Sequence, residues 1–193
     1  MGDKTELPVM PFEDQQAWSA WLEKNHAKSP GLWLKLAKKG SETQTVSYNE
    51  ALEEALRYGW IDGQKKGHDE SFWLQKFTPR GPKSIWSKIN REKAEALIRS
   101  GRMTPAGLAA VESAKRDGRW EAAYDSQRNI TVPDDLQAQL DRRPQAKAFF
   151  ATLNSANRYA VLWRVQTAKK AETRARRIEQ LVGMLERGEK LHP

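Results

Sequence analysis

The 193-residue sequence predicts an α+β protein: an N-terminal domain, residues 1–128, with a small antiparallel sheet flanked by helices, followed by an all-α helical domain, residues 129–193. Three observations carry that expectation. Ser47-Tyr48-Asn49-Glu50 is a capping box, in which the Ser hydroxyl accepts from the third-residue amide and Glu50 reaches back to the cap, so a helix opens there. Trp60-Ile61-Asp62-Gly63 and Ser71–Phe77 are short runs rich in aromatics that flank Gly67-His68-Asp69-Glu70, the pattern of an antiparallel hairpin. After Pro133, apolar residues recur with helical period almost to the end of the chain.

The elements follow in order. Phe12, Trp18, Trp21 and Leu22 fall at helical spacing with Asp14 near the first turn, so a helix is expected over residues 14–25, ended by Ser29-Pro30-Gly31. Leu32–Ala37 reads as a strand, although a turn of buried helix fits the same apolar run. The capping-box helix carries Tyr48, Ala51, Leu52, Ala55 and Leu56 as its apolar stripe, and Gly59 is placed to end it. Thr78-Pro79-Arg80-Gly81-Pro82-Lys83-Ser84 is expected to be a loop, because two prolines remove donors and favour turns. A helix then begins near Ser84, Ser87 or Asn90 and runs to about Ser100, with Gly101 beyond it. Thr104-Pro105 caps another that continues to about Asp117.

Tyr124–Pro133 is polar and weakly patterned, the expected linker. Pro133-Asp134-Asp135 and Pro144 each open a short helix, and helices over about 155–168 and 171–187 present Val161, Leu162 and Val165, then Ile178, Leu181, Val182 and Leu185. Neither is stable alone, so the four must pack as a small bundle. Trp18, Trp21 and Trp33 are expected in the core.

Composition excludes several classes. With no Cys there is no disulfide scaffold, no thiolate nucleophile and no Cys-ligated metal. The residues His26, His68 and His192 are far apart, no nucleotide-cradling glycine loop or nucleophile elbow occurs, and no metal or cofactor is expected. No apolar run approaches the length of a membrane span, so no membrane insertion is expected; the N-terminus lacks the pattern of an export signal, and a cytoplasmic location is expected. Adjacent acids, Glu53-Glu54, Asp69-Glu70 and Asp134-Asp135, read as solvated surface or first-turn charge.

The net charge of +8 is uneven. Residues 1–63 hold seven basic and ten acidic side chains, residues 64–102 ten and four, and residues 103–193 sixteen and eleven. The middle stretch also contains Phe72, Trp73, Phe77 and Trp86, and cations interleaved with rings suit a polyanion; a solvated basic surface over core tryptophans is the alternative. Within it, the Arg80–Asn90 segment brings Arg80 and Lys83 beside Ser84 and Ser87 at a helix start, where free N–H groups favour an anion. The candidate ligand-binding residues are Trp60, Asp62, Arg80, Lys83, Ser84, Trp86, Ser87 and Asn90. A second basic cluster in the last two helices, Arg158, Trp163, Lys169, Arg174 and Arg177, is the candidate partner-binding surface. Capping, packing and internal ion pairing are the ordinary reading of both sets on sequence grounds, and the one the residues favour.

Gly59-Trp-Ile-Asp-Gly63, Thr78-Pro79-Arg80 with Pro82–Asn90, Gly101–Gly107, Ala114–Trp120 and Ala168–Arg174 resemble, in this order, the motifs of the YdeI/OmpD-associated bacteriocin-protection family, and Val132–Lys190 is similar to its C-terminal helical domain. The resemblance implies a role in envelope protection and no defined catalytic residue. A chain of charge +8 is unsuited to sequestering a cationic peptide directly, which favours an indirect cytoplasmic role. The leading expectation is therefore a non-enzymatic protein binding an anionic ligand or acidic protein partner in a stress or envelope-protection role. An enzyme acting on an anionic small molecule, with Asp62 as acid or base and Arg80, Lys83 and Asn90 as clamps, is the second reading, and an RNA or DNA binder the third.

Overall fold

The computed structural model describes residues 6–193; residues 1–5, which the expected first domain includes, lie outside the described residues. The described residues form two compact units, one from residues 6–85 and 90–121, the other from 86–89 and 122–193.

In the first unit the described residues form β1 (Val9–Pro11), α1 (Gln15–Asn25), β2 (Leu32–Ala37), α2 (Tyr48–Arg57), β3 (Trp60–Gly67), β4 (Phe72–Pro79), α3 (Lys88–Arg99, whose first two residues cluster with the second unit) and α4 (Pro105–Arg116). The sheet order is β1-β2-β4-β3. It is mixed rather than antiparallel, because β1 pairs parallel to β2 while β2–β4 and β3–β4 are antiparallel. The parallel pair follows from connectivity: α1 carries the chain back to the end where β1 began.

The strand β4 also reaches further than the loop expectation, through Thr78 and Pro79. Arg80 N–H donates to the Gly59 carbonyl at 2.9 Å, so the neighbouring Trp60–Pro79 pair is one whose amides point away from each other, and proline removes no ladder bond.

Leu32, Leu34 and Leu36 alternate inward from β2, opposite Phe77, Gln75 and Trp73 of β4. Trp18 on α1 stacks on Trp21 at 5.4 Å and meets Trp60 and Phe77 at 6.3 and 5.8 Å. Its Nε1–H donates to the Ala51 carbonyl at 3.0 Å, and that of Trp60 to the His26 carbonyl at 3.1 Å, so neither buried indole leaves its donor unmet. The capping box at Ser47 and Glu50 is present with both bonds, and Gly59 ends α2 at φ +72°.

Three expectations change here. Trp21, although stacked on the buried Trp18, is itself only half-buried and not core, because it lies at the edge of the helix face that Trp18 and Leu22 bury. Trp33 is not core: the period of two puts it on the opposite sheet face from Leu32 and Leu34, where it is only half-buried. Glu54 is not solvated but 2% exposed; Arg57 lies 2.5 Å from it, Arg102 3.5 Å away, and Gln15 donates to it at 2.8 Å. A buried carboxylate persists because it is paired.

The second unit holds α5 (Asp134–Asp141), α6 (Pro144–Thr152), α7 (Ser155–Gln166) and α8 (Ala171–Glu186) around one core of Leu136, Leu140, Phe150, Val161, Val165, Val182, Leu185 and their neighbours. The expected linker is not free of structure. Tyr124 N–H donates to the Trp86 carbonyl, Lys88 N–H to the Tyr124 carbonyl, and Asp125 pairs with Lys88 at 2.7 Å and accepts from Gln166 Nε2 at 2.6 Å. Those contacts are with residues distant in sequence, which local pattern does not reveal.

Candidate functional site

The Arg80–Asn90 segment is built to hold its own shape. Ser84 accepts from the Gly81 amide at 3.0 Å through its hydroxyl, and Arg80 Nη1 donates to the Ile85 carbonyl at 3.2 Å. Arg119, only 4% exposed, donates to the Ser84 carbonyl at 2.8 Å while held by Asp117 at 2.7 Å and Ser113 at 3.1 Å. Asp62 accepts from the Tyr48 hydroxyl at 2.8 Å. Trp60 and Trp86 are 1% exposed and Asn90 8%, so their surfaces are given to packing. Lys83 is exposed, and Ser87 bridges to Tyr124 in the second unit. The eight residues are thus spread over core, strand and turn, and the cavities described below are lined by others.

The second set is also engaged in holding the bundle. Arg174 donates to Asp135 at 2.5 and 2.8 Å and to the Val165 carbonyl at 2.9 Å; Arg177 donates to the Arg164 carbonyl at 2.7 Å. Both cations therefore satisfy carbonyls in the last turn of α7, where the helix dipole favours positive charge. The hydrogen bond from Arg174 holds the Asp135 carboxyl below its ordinary value, against the opposing effect of burial. The Arg158 guanidinium covers the Phe150 ring at 4.4 Å, and Trp163 meets Tyr124 edge-on at 6.0 Å. Lys169 is exposed. Trp163 and Arg177 do converge, with Leu181 and Met184, on a cavity of about 460 Å³.

The outer face of the sheet gathers a different group. Trp33 and Lys35 of β2, Phe72, Leu74 and Lys76 of β4 and Lys66 of β3 share that face by register: Trp33 opposes Lys76, and Leu74 lies between Lys35 and Lys66. The Lys66 ammonium stands 4.2 Å over the Trp33 ring and that of Lys35 4.1 Å over Phe72. On the other side of the hairpin end, Lys65 covers Trp73 at 4.2 Å. Lys38, Lys39, Lys65, Lys66 and Trp73 line a cavity of about 480 Å³, while Lys35 and Phe72 border another of about 570 Å³ with Phe12, Glu13 and Thr43–Thr45.

Besides Glu13, this region holds the acid Asp69, which lies 3.7 Å from Lys35 and accepts from the Ser71 and Phe72 amides at 2.9 and 2.8 Å. Desolvation pushes its carboxyl up, but those donors and Lys35 together hold it below the ordinary value, so it stays charged and fixes the turn.

An exposed cation–π contact contributes only about 0.5–1 kcal/mol, so the Lys65 and Lys66 ammonium groups are loosely held and easily redirected toward an anion, whereas Lys35 is shared with Asp69. Sequence reading located the charge excess and Phe72 and Trp73, but not the face. The signal available was the alternation Leu32-Trp33-Leu34-Lys35-Leu36, which separates an apolar set from a ring-and-cation set. Among the described residues no group of three or more His or carboxylates is arranged to hold a metal ion, and no helix is long and apolar enough to cross a membrane.

Fold and surface together define an α+β protein whose mixed sheet bears a lysine–aromatic face, with a four-helix unit in the same chain. Residues 10–110, more than half of the chain, match the family model described as a domain of unknown function, DUF8412, and the chain belongs to that family. Residues 129–188 match the model described as "Bacteriocin-protection, YdeI or OmpD-Associated". The resemblance read from the motifs is therefore shown, at the helical unit: Ala168–Arg174 lies within that match, the first three motifs within the other model's residues, and Ala114–Trp120 between the two. No curated protein and no solved structure matches the chain.

Proposed function

We propose that this chain is a non-catalytic cytoplasmic protein that binds an anionic ligand on the outer face of its sheet, in an indirect stress or envelope-protection role, a reading supported by the words "Bacteriocin-protection" in the description of the model that residues 129–188 match. The observation that carries the reading is the pair of ammonium groups of Lys35 and Lys66 poised over Phe72 and Trp33, with Lys76 beside them. Such a surface offers several cations at once and flat apolar ground between them, which suits a ligand with repeated negative charges. The net charge of +8 would repel a cationic peptide, so protection by direct sequestration is the less favourable route.

The earlier loop candidates Arg80 and Ser84 fit this reading as supports rather than contacts: together with Arg119 they tie down the chain leaving β4. Binding of inorganic polyphosphate or heparin, followed by calorimetry at several salt concentrations, tests the proposal. The triple variant Lys35→Gln, Lys66→Gln, Lys76→Gln should bind at least about tenfold more weakly, with a salt slope shallower by roughly two, since each cation–phosphate contact adds about 0.7–0.9 to that slope. Unchanged affinity and slope in the triple variant would remove the outer face as the binding surface.

A further inference from the structure

We infer that the polyanion bound by the sheet's outer face is single-stranded nucleic acid, whose bases stack on Trp33 and Phe72 while its phosphates take the lysines. The inference rests on the reading above and adds the chemical class of the ligand. Three features of the face bear on it. First, each half-buried ring has an ammonium over its face, Lys66 over Trp33 and Lys35 over Phe72, so that face is covered by a flexible cation a ligand can displace. A base gains more on such a ring than the lysine loses, and the displaced ammonium is left within reach of the phosphate attached to that base.

Second, the spacing suits an oligomer. Phe72 and the residue opposite Trp33, Lys76, are four positions apart on β4, and β2 is the adjacent strand. At the usual rise of about 3.3 Å per residue and about 4.8 Å between strands, the two rings are anchored roughly 14 Å apart, on the order of four nucleotides of a stacked strand. A mononucleotide spans only one ring; a short strand spans both, with Lys35, Lys66 and Lys76 distributed between them.

Third, the rings select against the competing polyanions. In a duplex the flat faces of the bases are already stacked on one another, and an acidic peptide or a sulfated sugar offers charge without a π-face. The lysines alone would serve any of these, so the half-buried Trp33 and Phe72 on a polar surface are what single-stranded nucleic acid explains.

The full chain should be titrated into a fluorescently labelled 12-nucleotide single strand of mixed sequence, the corresponding duplex, and polyphosphate, with anisotropy read over a range of salt. The single strand should bind at least tenfold more tightly than the duplex. Trp33→Leu and Phe72→Leu should each weaken that binding roughly 5- to 100-fold with little change in salt slope. Lys66→Gln and Lys76→Gln, which leave the core untouched, should each lower the slope by about 0.7. If strand, duplex and polyphosphate bind alike, or if folded Trp33→Leu and Phe72→Leu proteins retain full affinity, the nucleic-acid inference fails while the anion-binding reading stands. If none of the three binds, both fail.

Discussion

Gly107 shows how one missing side chain sets a helix contact. Thr104, the N-cap of α4, donates through its hydroxyl to the Arg57 carbonyl at 2.5 Å and accepts from the Gly107 amide at 3.3 Å, which brings the first turn of α4 onto the last turn of α2. A Cβ on Gly107 would stand 2.3 Å from the Arg57 carbonyl oxygen and 2.3 Å from the Met103 sulfur. Methionine can swing away, but the carbonyl is backbone and also the acceptor for Thr104. Replacing glycine by alanine inside a helix ordinarily gains about 1 kcal/mol. Here overpacking should exceed that gain, leaving Gly107→Ala destabilised by about 1–3 kcal/mol. Chemical denaturation checks the sign, and a stabilised variant would mean that the two helices separate at little cost. The same close approach explains why Thr104-Pro-Ala-Gly107 stands out as a motif without any ligand being involved.

At the scale of elements, the helical unit is joined by cations that cross from one helix to the end of another. Asp135 sits in the first turn of α5 and Arg174 in that of α8, and Arg174 reaches the Val165 carbonyl of α7 as well. Asp135 titrates below its ordinary value in the folded chain because Arg174 bonds its charged form. A carboxyl depressed in this way stabilises the fold above the unfolded value of about 3.9, and that contribution is lost as pH falls through the lowered folded value. Asp135→Asn should therefore melt below the parent at neutral pH, by an amount corresponding to at most about 1 kcal/mol for so exposed a pair, and the gap should close toward pH 3 and below. A gap independent of pH would assign the loss to packing instead.

Elements like these are readable in advance because their causes are local: Asp14, Ser47 and Thr104 cap α1, α2 and α4, and the apolar stripes repeat at helical spacing. The three-residue β1, bounded by prolines at Pro8 and Pro11, has no alternation to read and exists through its pairing with β2. The outer face is hidden for the same reason, since Lys66 and Trp33 meet only once β3, β4 and β2 are in register. Of the sequence-chosen candidates, the aromatic members Trp60 and Trp86 went to the core, where large rings contribute most.

For the whole molecule, the boundary that matters is set by where each core closes. The apolar core of the second unit draws on Leu136 to Leu185, with Ile130, Val132 and Leu191 packed against it, so residues 129–193 contain every side chain of that cluster. Polar ties extend beyond it on both sides. Upstream, Asp125 accepts from Gln166 and Tyr124 meets Trp163. Downstream, the buried Asn157 accepts from the Leu191 and His192 amides at 3.1 and 2.9 Å and donates to the His192 carbonyl at 3.3 Å. A unit of this size is marginal on hydrophobic burial alone, so losing a few such bonds is a large fraction of its stability. Residues 122–193 expressed alone should fold to a helical protein with a cooperative thermal transition followed by circular dichroism. Residues 129–193 should melt lower, and residues 129–188, the length of the family match, lower again, because the buried Asn157 side-chain oxygen then loses both its donors, at about 1–3 kcal/mol. Equal melting of all three would show that the polar ties add nothing to the core, and a fragment 122–193 without a cooperative transition would show that this core does not close within its own unit.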